Sequence, residues 1–271
     1  MWYSIKVLNM LRFFKPDRGR GIHQRGYFSY ITEAVVHIHN VLLNYPDQKL
    51  KIYYDLSNIF GYGSQNIYDT CFIQDINDYR LNIDKYSNIE LVNYMTPLNT
   101  YKSNTFTKEN LKMCESIIKD NFILNDEMKQ LFLSRHSQID FTKTIGFHRR
   151  ATDMSTVHHT STIDLLEIFN ILEKEEFENI FLMSDNINDL NKFKERYGNK
   201  LITFDEFTSS KTDDNPFFKL ENDDEIIKQH IQEIVFGAYT LGMTKKLICT
   251  KSNLSTFSIF SNSKLNYTRL N

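Results

Sequence analysis

From Thr144 onward, short apolar runs alternate regularly with amphipathic stretches. Ile145–Phe147, Ile180–Met183, Leu201–Phe204 and Leu247–Cys249 are mainly apolar, the pattern of strands buried on both faces. Ile163–Lys174, Ile187–Tyr197, Asp224–Leu241 and Leu254–Phe260 place apolar residues at helical spacing. This alternation predicts a parallel sheet covered by helices. The first half is less regular. A helix is expected from about Ser29 to Asn44, with Ala34, Val35, Ile38, Val41 and Leu42 as its apolar stripe, stopped by Tyr45-Pro46-Asp47. Leu50–Asp55 reads as a strand, Asn58–Ser64 as a loop, Asn66–Phe72 as a short helix and Ile89–Asn93 as another strand. Helices over Lys108–Phe122 and Asn125–Arg135 are expected to bridge the halves. The predicted division is 1–107, a bridge over 108–143, and 144–271.

The remaining bulk properties narrow the class. With 271 residues, 41% of them hydrophobic, the chain can bury a core. A net charge of −2 with both signs interspersed argues against general nucleic-acid binding. Cys71, Cys114 and Cys249 are odd in number and lack metal-ligand spacing, so reduced thiols and a cytoplasmic location are expected. The opening segment Met1–Arg12 is interrupted by Lys6 and Arg12 and lacks a cleavage-site pattern, which argues against a signal peptide. No window approaches the ~20 apolar residues of a membrane span.

Candidate chemistry gathers at three strand ends. Ile145-Gly146-Phe147 runs into His148-Arg149-Arg150-Ala151-Thr152-Asp153, Ile180–Met183 into Ser184-Asp185-Asn186, and Leu247–Cys249 into Thr250-Lys251-Ser252-Asn253-Leu254-Ser255. Three polar ends of parallel strands imply one site at the carboxyl edge of a sheet. Arg150 offers a planar fork of donors suited to a diphosphate, although a surface salt bridge would also account for it. Ser252, Asn253 and Ser255 stand where backbone N–H groups and hydroxyls at a helix start bind anions. Plain capping by Ser252 or Asn253 is by itself the commoner reason for such residues, and the two roles need not exclude each other. Asp185 could cap the next helix or accept hydrogen bonds from a ligand, and Thr152 with Asp153 is open in the same way. His158 and His159 are adjacent, poorly placed for one metal ion; exposed loop histidines are the commoner case, and either could serve as a general base. Dinucleotide, P-loop and nucleophile-elbow motifs are absent, as is an Asp-x-Asp metal clamp.

Taken in order, these segments resemble the fucosyltransferase superfamily that includes core α-1,6-, Nod-factor and α-1,2-fucosyltransferases. His148, Arg150, Thr152 and Asp153 resemble its His-x-Arg-x-Thr-Asp run. Ser184-Asp185-Asn186 resembles its second strand end. Thr250, Ser252, Asn253 and Ser255 resemble its phosphate loop, and Gly26-Tyr27-Phe28-Ser29 more distantly its first loop. The resemblance implies a GT-B-like α/β fold of two Rossmann-like halves, with the nucleotide-sugar held by the C-terminal half. It further implies an inverting glycosyltransferase that needs neither metal nor cofactor and takes a glycan or glycoprotein acceptor. Arg150 would stabilise the leaving diphosphate, with Asp153, His158 or His159 as base. His148, Thr152, Ser184, Asp185, Thr250, Ser252, Asn253, Ser255, Tyr27 and Phe28 would help bind the donor.

Two departures from the family pattern matter. A second arginine often follows the first, and here that position is Ala151. Several members place a guanine-binding aspartate thirteen residues before the loop threonine, and here that position is Gly237. A site missing that acceptor loses discrimination for guanine. GDP-fucose is the donor implied by the resemblance. A UDP-sugar such as UDP-xylose is the alternative raised by Gly237, with Glu233 one turn earlier as a substitute carboxylate. A non-catalytic glycan- or nucleotide-binding protein is the remaining alternative.

Overall fold

The computed structural model describes residues 9–14, 27–44, 49–54, 66–74, 88–92, 106–150, 163–204 and 224–270. The chain forms two compact units, Met1–Asn125 and Asp126–Asn271. The two helices that the sequence pattern sets between the halves fall one in each unit.

The first unit has a three-stranded parallel sheet of β1 (Asn9–Phe14), β2 (Lys49–Tyr54) and β3 (Asn88–Val92), in the order β2-β1-β3. The central strand β1 was not expected, because Arg12 breaks its apolar run. Helix α1 (Tyr27–Asn44) buries Ala34, Val35, Ile38 and Val41 of the predicted stripe, leaves Leu42 half-buried, and buries Ile31 as well. Helix α2 (Lys108–Asn121) packs on α1, and its start is capped by Thr107, which accepts from the Asn110 N–H. The expected helix over 66–72 contracts to a 3-10 turn, Ile67–Thr70, entered through an Asn66 cap. This turn builds an aromatic cluster: Tyr54 stacks on Tyr68 at 4.6 Å, and Phe122 and Phe72 close around them.

The second unit carries a five-stranded sheet of order β6-β5-β4-β7-β8, with every neighbouring pair parallel. Its strands are β4 (Thr144–Arg149), β5 (Asn179–Ser184), β6 (Leu201–Ile202), β7 (Lys246–Thr250) and β8 (Tyr267–Leu270). Helices α3 (Asp126–His136), α4 (Leu165–Leu172), α5 (Ile187–Tyr197), α6 (Asp224–Met243) and α7 (Asn253–Phe260) complete it. Only Leu201 and Ile202 of the expected 201–204 strand pair with β5, and β8 is an additional edge strand.

The period-two alternation of side chains sorts β4 between two faces. Ile145 and Phe147 join Ile168, Leu172, Leu182 and Phe193 in one buried cluster. Gly146, on the opposite face, lets α6 lie close: a Cβ there would stand 2.7 Å from the Thr244 hydroxyl oxygen. Helix α3 packs on α6 through Phe132, His136 and Phe236. Cys71, Cys114 and Cys249 are buried thiols. Among the described residues, no helix is long and apolar enough to cross a membrane.

Candidate functional site

Strand order locates the site. The chain steps from β4 to β5 to β6 on one side of the sheet, then returns through α6 to β7 on the other side of β4. The direction of winding therefore reverses between β4 and β7. In open parallel sheets such a reversal opens a crevice at the carboxyl ends, where ligands bind. The first and third polar strand ends meet there.

The bond that joins them runs from the backbone N–H of Arg150 to the Thr250 hydroxyl, at 2.9 Å. Beside it, His148 Nδ1 lies 3.5 Å from the Ser252 hydroxyl oxygen. Ser252 is the cap of α7: its hydroxyl accepts from the Ser255 N–H at 3.0 Å, while its own N–H donates to the Ser255 hydroxyl at 3.1 Å. Ser255 is fully buried and also donates to the Thr250 carbonyl at 2.9 Å. Thr250, Ser252 and Ser255 are thus hydrogen-bonded into one turn, which caps α7 at Asn253. The capping box sets the first turn of α7, with its dipole, at the carboxyl edge of the sheet beside the winding reversal.

His148 is buried, and burial together with the Arg150 charge pushes its imidazole down to about 3. It is neutral at physiological pH and serves as a hydrogen-bonding group. The neighbouring arginines divide by strand alternation. Arg149 points into the fold, pairs with Asp189 at 3.1 Å and donates to the Ile163 carbonyl at 3.1 Å. Burial raises the Asp189 carboxyl against the lowering pull of Arg149 and Ser184. Arg150, half-buried, follows on the His148 side of the strand.

The second strand end works mostly within the fold. Ser184 is buried; its hydroxyl donates to Asp189 at 3.2 Å and accepts from the Asn186 N–H at 3.2 Å. Asn186, rather than Asp185, caps α5 by accepting from the Asn188 N–H at 2.8 Å. Asp185 is half-buried at the same sheet edge. Tyr27 and Phe28 are buried in the first unit, their rings edge to face at 5.8 Å. Thr152, Asp153, His158 and His159 lie outside the described residues, as does Ala151.

Two α6 positions are explained by packing. Glu233 is buried, and Arg135 Nη1 meets both of its carboxylate oxygens, at 2.6 and 2.7 Å. The Arg135 guanidinium also lies over the rings of Phe204 and Phe236, at 4.7 and 5.2 Å. At Gly237 an added Cβ would stand 1.9 Å from Met183 Sδ, so Met183 fills the space that a side chain would need. Met183 was not singled out by sequence, since it reads as the last apolar residue of a strand. Among the described residues, no cluster of three or more His, Cys, Asp or Glu side chains could hold a metal ion.

The chain is similar in structure to NodZ α-1,6-fucosyltransferase soaked with GDP-fucose, with TM-score 0.55 and 11% identity over 94% of this chain and 93% of that one. NodZ from Bradyrhizobium gives TM-score 0.55 and 10% identity, covering 93% of each chain. The chain has the NodZ fold. NodZ co-crystallized with GDP agrees, at TM-score 0.54 and 11% identity over 93% of this chain and 92% of that one. No protein-family model and no curated protein sequence matches the chain. The NodZ fold therefore joins the polar strand ends as an independent observation, and at this identity it speaks for architecture alone.

Proposed function

We propose that the chain is an inverting glycosyltransferase that moves a sugar from a nucleotide-sugar to a hydroxyl of a glycan or glycoprotein. The observation that carries this is the junction of β4 and β7: an arginine and a hydroxyl-lined helix start, tied together at the winding reversal of a NodZ-type fold. The α7 turn would hold the diphosphate through N–H and hydroxyl donors. An acceptor oxygen attacks C1 of the sugar from the face opposite the diphosphate. The new C1–O bond forms as the C1–O bond to phosphate breaks, and the acceptor proton passes to a base. Asp153, His158 and His159 are the base candidates. Arg150 neutralises charge growing on the leaving diphosphate, the role a metal ion would otherwise fill. His148, neutral and buried, seats the turn through Ser252.

A GDP-sugar, GDP-fucose in particular, is supported by the NodZ structures that were soaked with GDP-fucose and co-crystallized with GDP. A UDP-sugar is supported by the packing at Gly237, where Met183 leaves no room for a carboxylate, and by the engagement of Glu233 with Arg135. Thermal-shift titration with GDP and UDP separates the two, since stabilisation follows affinity by mass action. Hydrolysis of the matching nucleotide-sugar in EDTA then tests turnover and metal independence together. Binding without hydrolysis or transfer would leave a nucleotide-binding protein; binding of neither nucleotide would end the proposal.

A further inference from the structure

Behind the α7 turn stands a residue that the strand-end motifs do not include. Arg269 belongs to β8, the edge strand, and its Nη2 donates to the Thr256 hydroxyl at 2.7 Å. The Thr256 hydroxyl donates in turn to the Ser252 carbonyl at 2.7 Å. Ser252 caps α7 and lies against His148, while Ser255 binds the Thr250 carbonyl and Thr250 accepts from Arg150. A continuous set of hydrogen bonds therefore runs from the last strand, through the first turn of α7, to the end of β4.

The sign of the charge is the telling feature. The N-terminus of a helix already carries partial positive charge, so a cation against its first turn is disfavoured. Burial works the same way, and it lowers the Arg269 guanidinium from its ordinary range. A polyanion bound at the turn reverses the sign of both effects, because helix dipole and guanidinium then act on it together.

Resting on the diphosphate site proposed above, we infer that Arg269 is a positioning residue for that site: through Thr256 and Ser252 it fixes the α7 turn and adds positive charge behind the bound diphosphate. The site then reaches as far as β8.

Calorimetric titration of the full-length protein with inorganic pyrophosphate, and separately with guanosine and uridine, tests this. Arg269→Gln should weaken pyrophosphate about tenfold and flatten the salt dependence of its binding, with nucleoside affinity unchanged. Arg269→Lys, which keeps the charge, should stay within about threefold of the native protein. A purely structural role would lower the melting temperature in both variants without a pyrophosphate-specific loss, and that result overturns the inference. If Arg269→Gln fails to fold, Thr256→Val releases the guanidinium from the turn, and unchanged pyrophosphate affinity in that variant overturns it equally. Failure of the native protein to bind pyrophosphate and both nucleoside diphosphates would instead remove the underlying site.

Discussion

The contact between Gly237 and Met183 makes the sharpest steric prediction. In Gly237→Ala the new Cβ would meet Met183 Sδ at 1.9 Å and Cε at 2.4 Å. Both are far inside the ~3.5–4.0 Å at which such atoms attract. Met183 is 4% exposed, so its side chain can move only by displacing neighbours. Overpacking of this kind costs about 1–3 kcal/mol. Replacing glycine inside a helix returns about 1 kcal/mol. The net expectation is a loss of about 0–2 kcal/mol, where an unconstrained helix position would gain about 1 kcal/mol. Met183→Ala alone should cost about 2–5 kcal/mol through the cavity it leaves. In the double variant the clash is gone, and Gly237→Ala should then be neutral or stabilising. Urea unfolding of the four proteins reads this as a coupling of about 1–3 kcal/mol. Additivity within about 0.5 kcal/mol would refute the packing explanation of Gly237. The same pair probes base choice. Gly237→Asp with Met183→Ala puts a carboxylate in the vacated space and should raise GDP affinity relative to UDP. An unchanged ratio would detach position 237 from the base.

Other outcomes follow from the site. Arg150→Ala should lower turnover about 10²–10³-fold, the size expected for losing a transition-state charge partner. Its backbone bond to Thr250 survives the substitution, and unchanged turnover in the folded variant would remove Arg150 from the mechanism. Arg149→Met should cost about 3–5 kcal/mol in unfolding experiments, because it strands the Asp189 carboxylate in the interior; a loss below about 1 kcal/mol, the level of an exposed pair, would contradict that placement. The buried His148 has a folded value near 3 against 6.5 for the free side chain, so the unfolded state binds more protons between those limits. Its contribution is present above pH 6.5 and lost as pH falls toward 3. His148→Asn should therefore flatten the decline in urea midpoint between those values, and an unaltered slope would show that His148 titrates normally.

Much of the second unit was legible because its strands are apolar runs that break off sharply into polar residues. Helix α5 matches its expected bounds at both ends, since Asn186 caps it and Gly198, at φ 51°, terminates it. The inward placement of Arg149 follows from plain strand alternation with Ile145 and Phe147, although the sequence motif alone drew attention only to Arg150. Strand β8 was not legible: Tyr267-Thr268-Arg269-Leu270 has one aliphatic residue and pairs on one side only. Strand β1 was hidden by Arg12. In the sequence Glu233 looks like a spare acceptor, because its partner, Arg135, stands on a helix far away in the chain. Gly237 showed as a missing carboxylate, whereas its cause, the bulk of Met183, is a contact between elements that no local pattern records.

A crystal structure of the protein soaked with GDP and, separately, UDP tests the central claim most directly. The account requires the diphosphate at the first turn of α7, within hydrogen-bonding reach of the Arg150 guanidinium and the Ser252–Ser255 turn. A diphosphate bound elsewhere, or an Arg150 side chain turned away from it, would contradict the account.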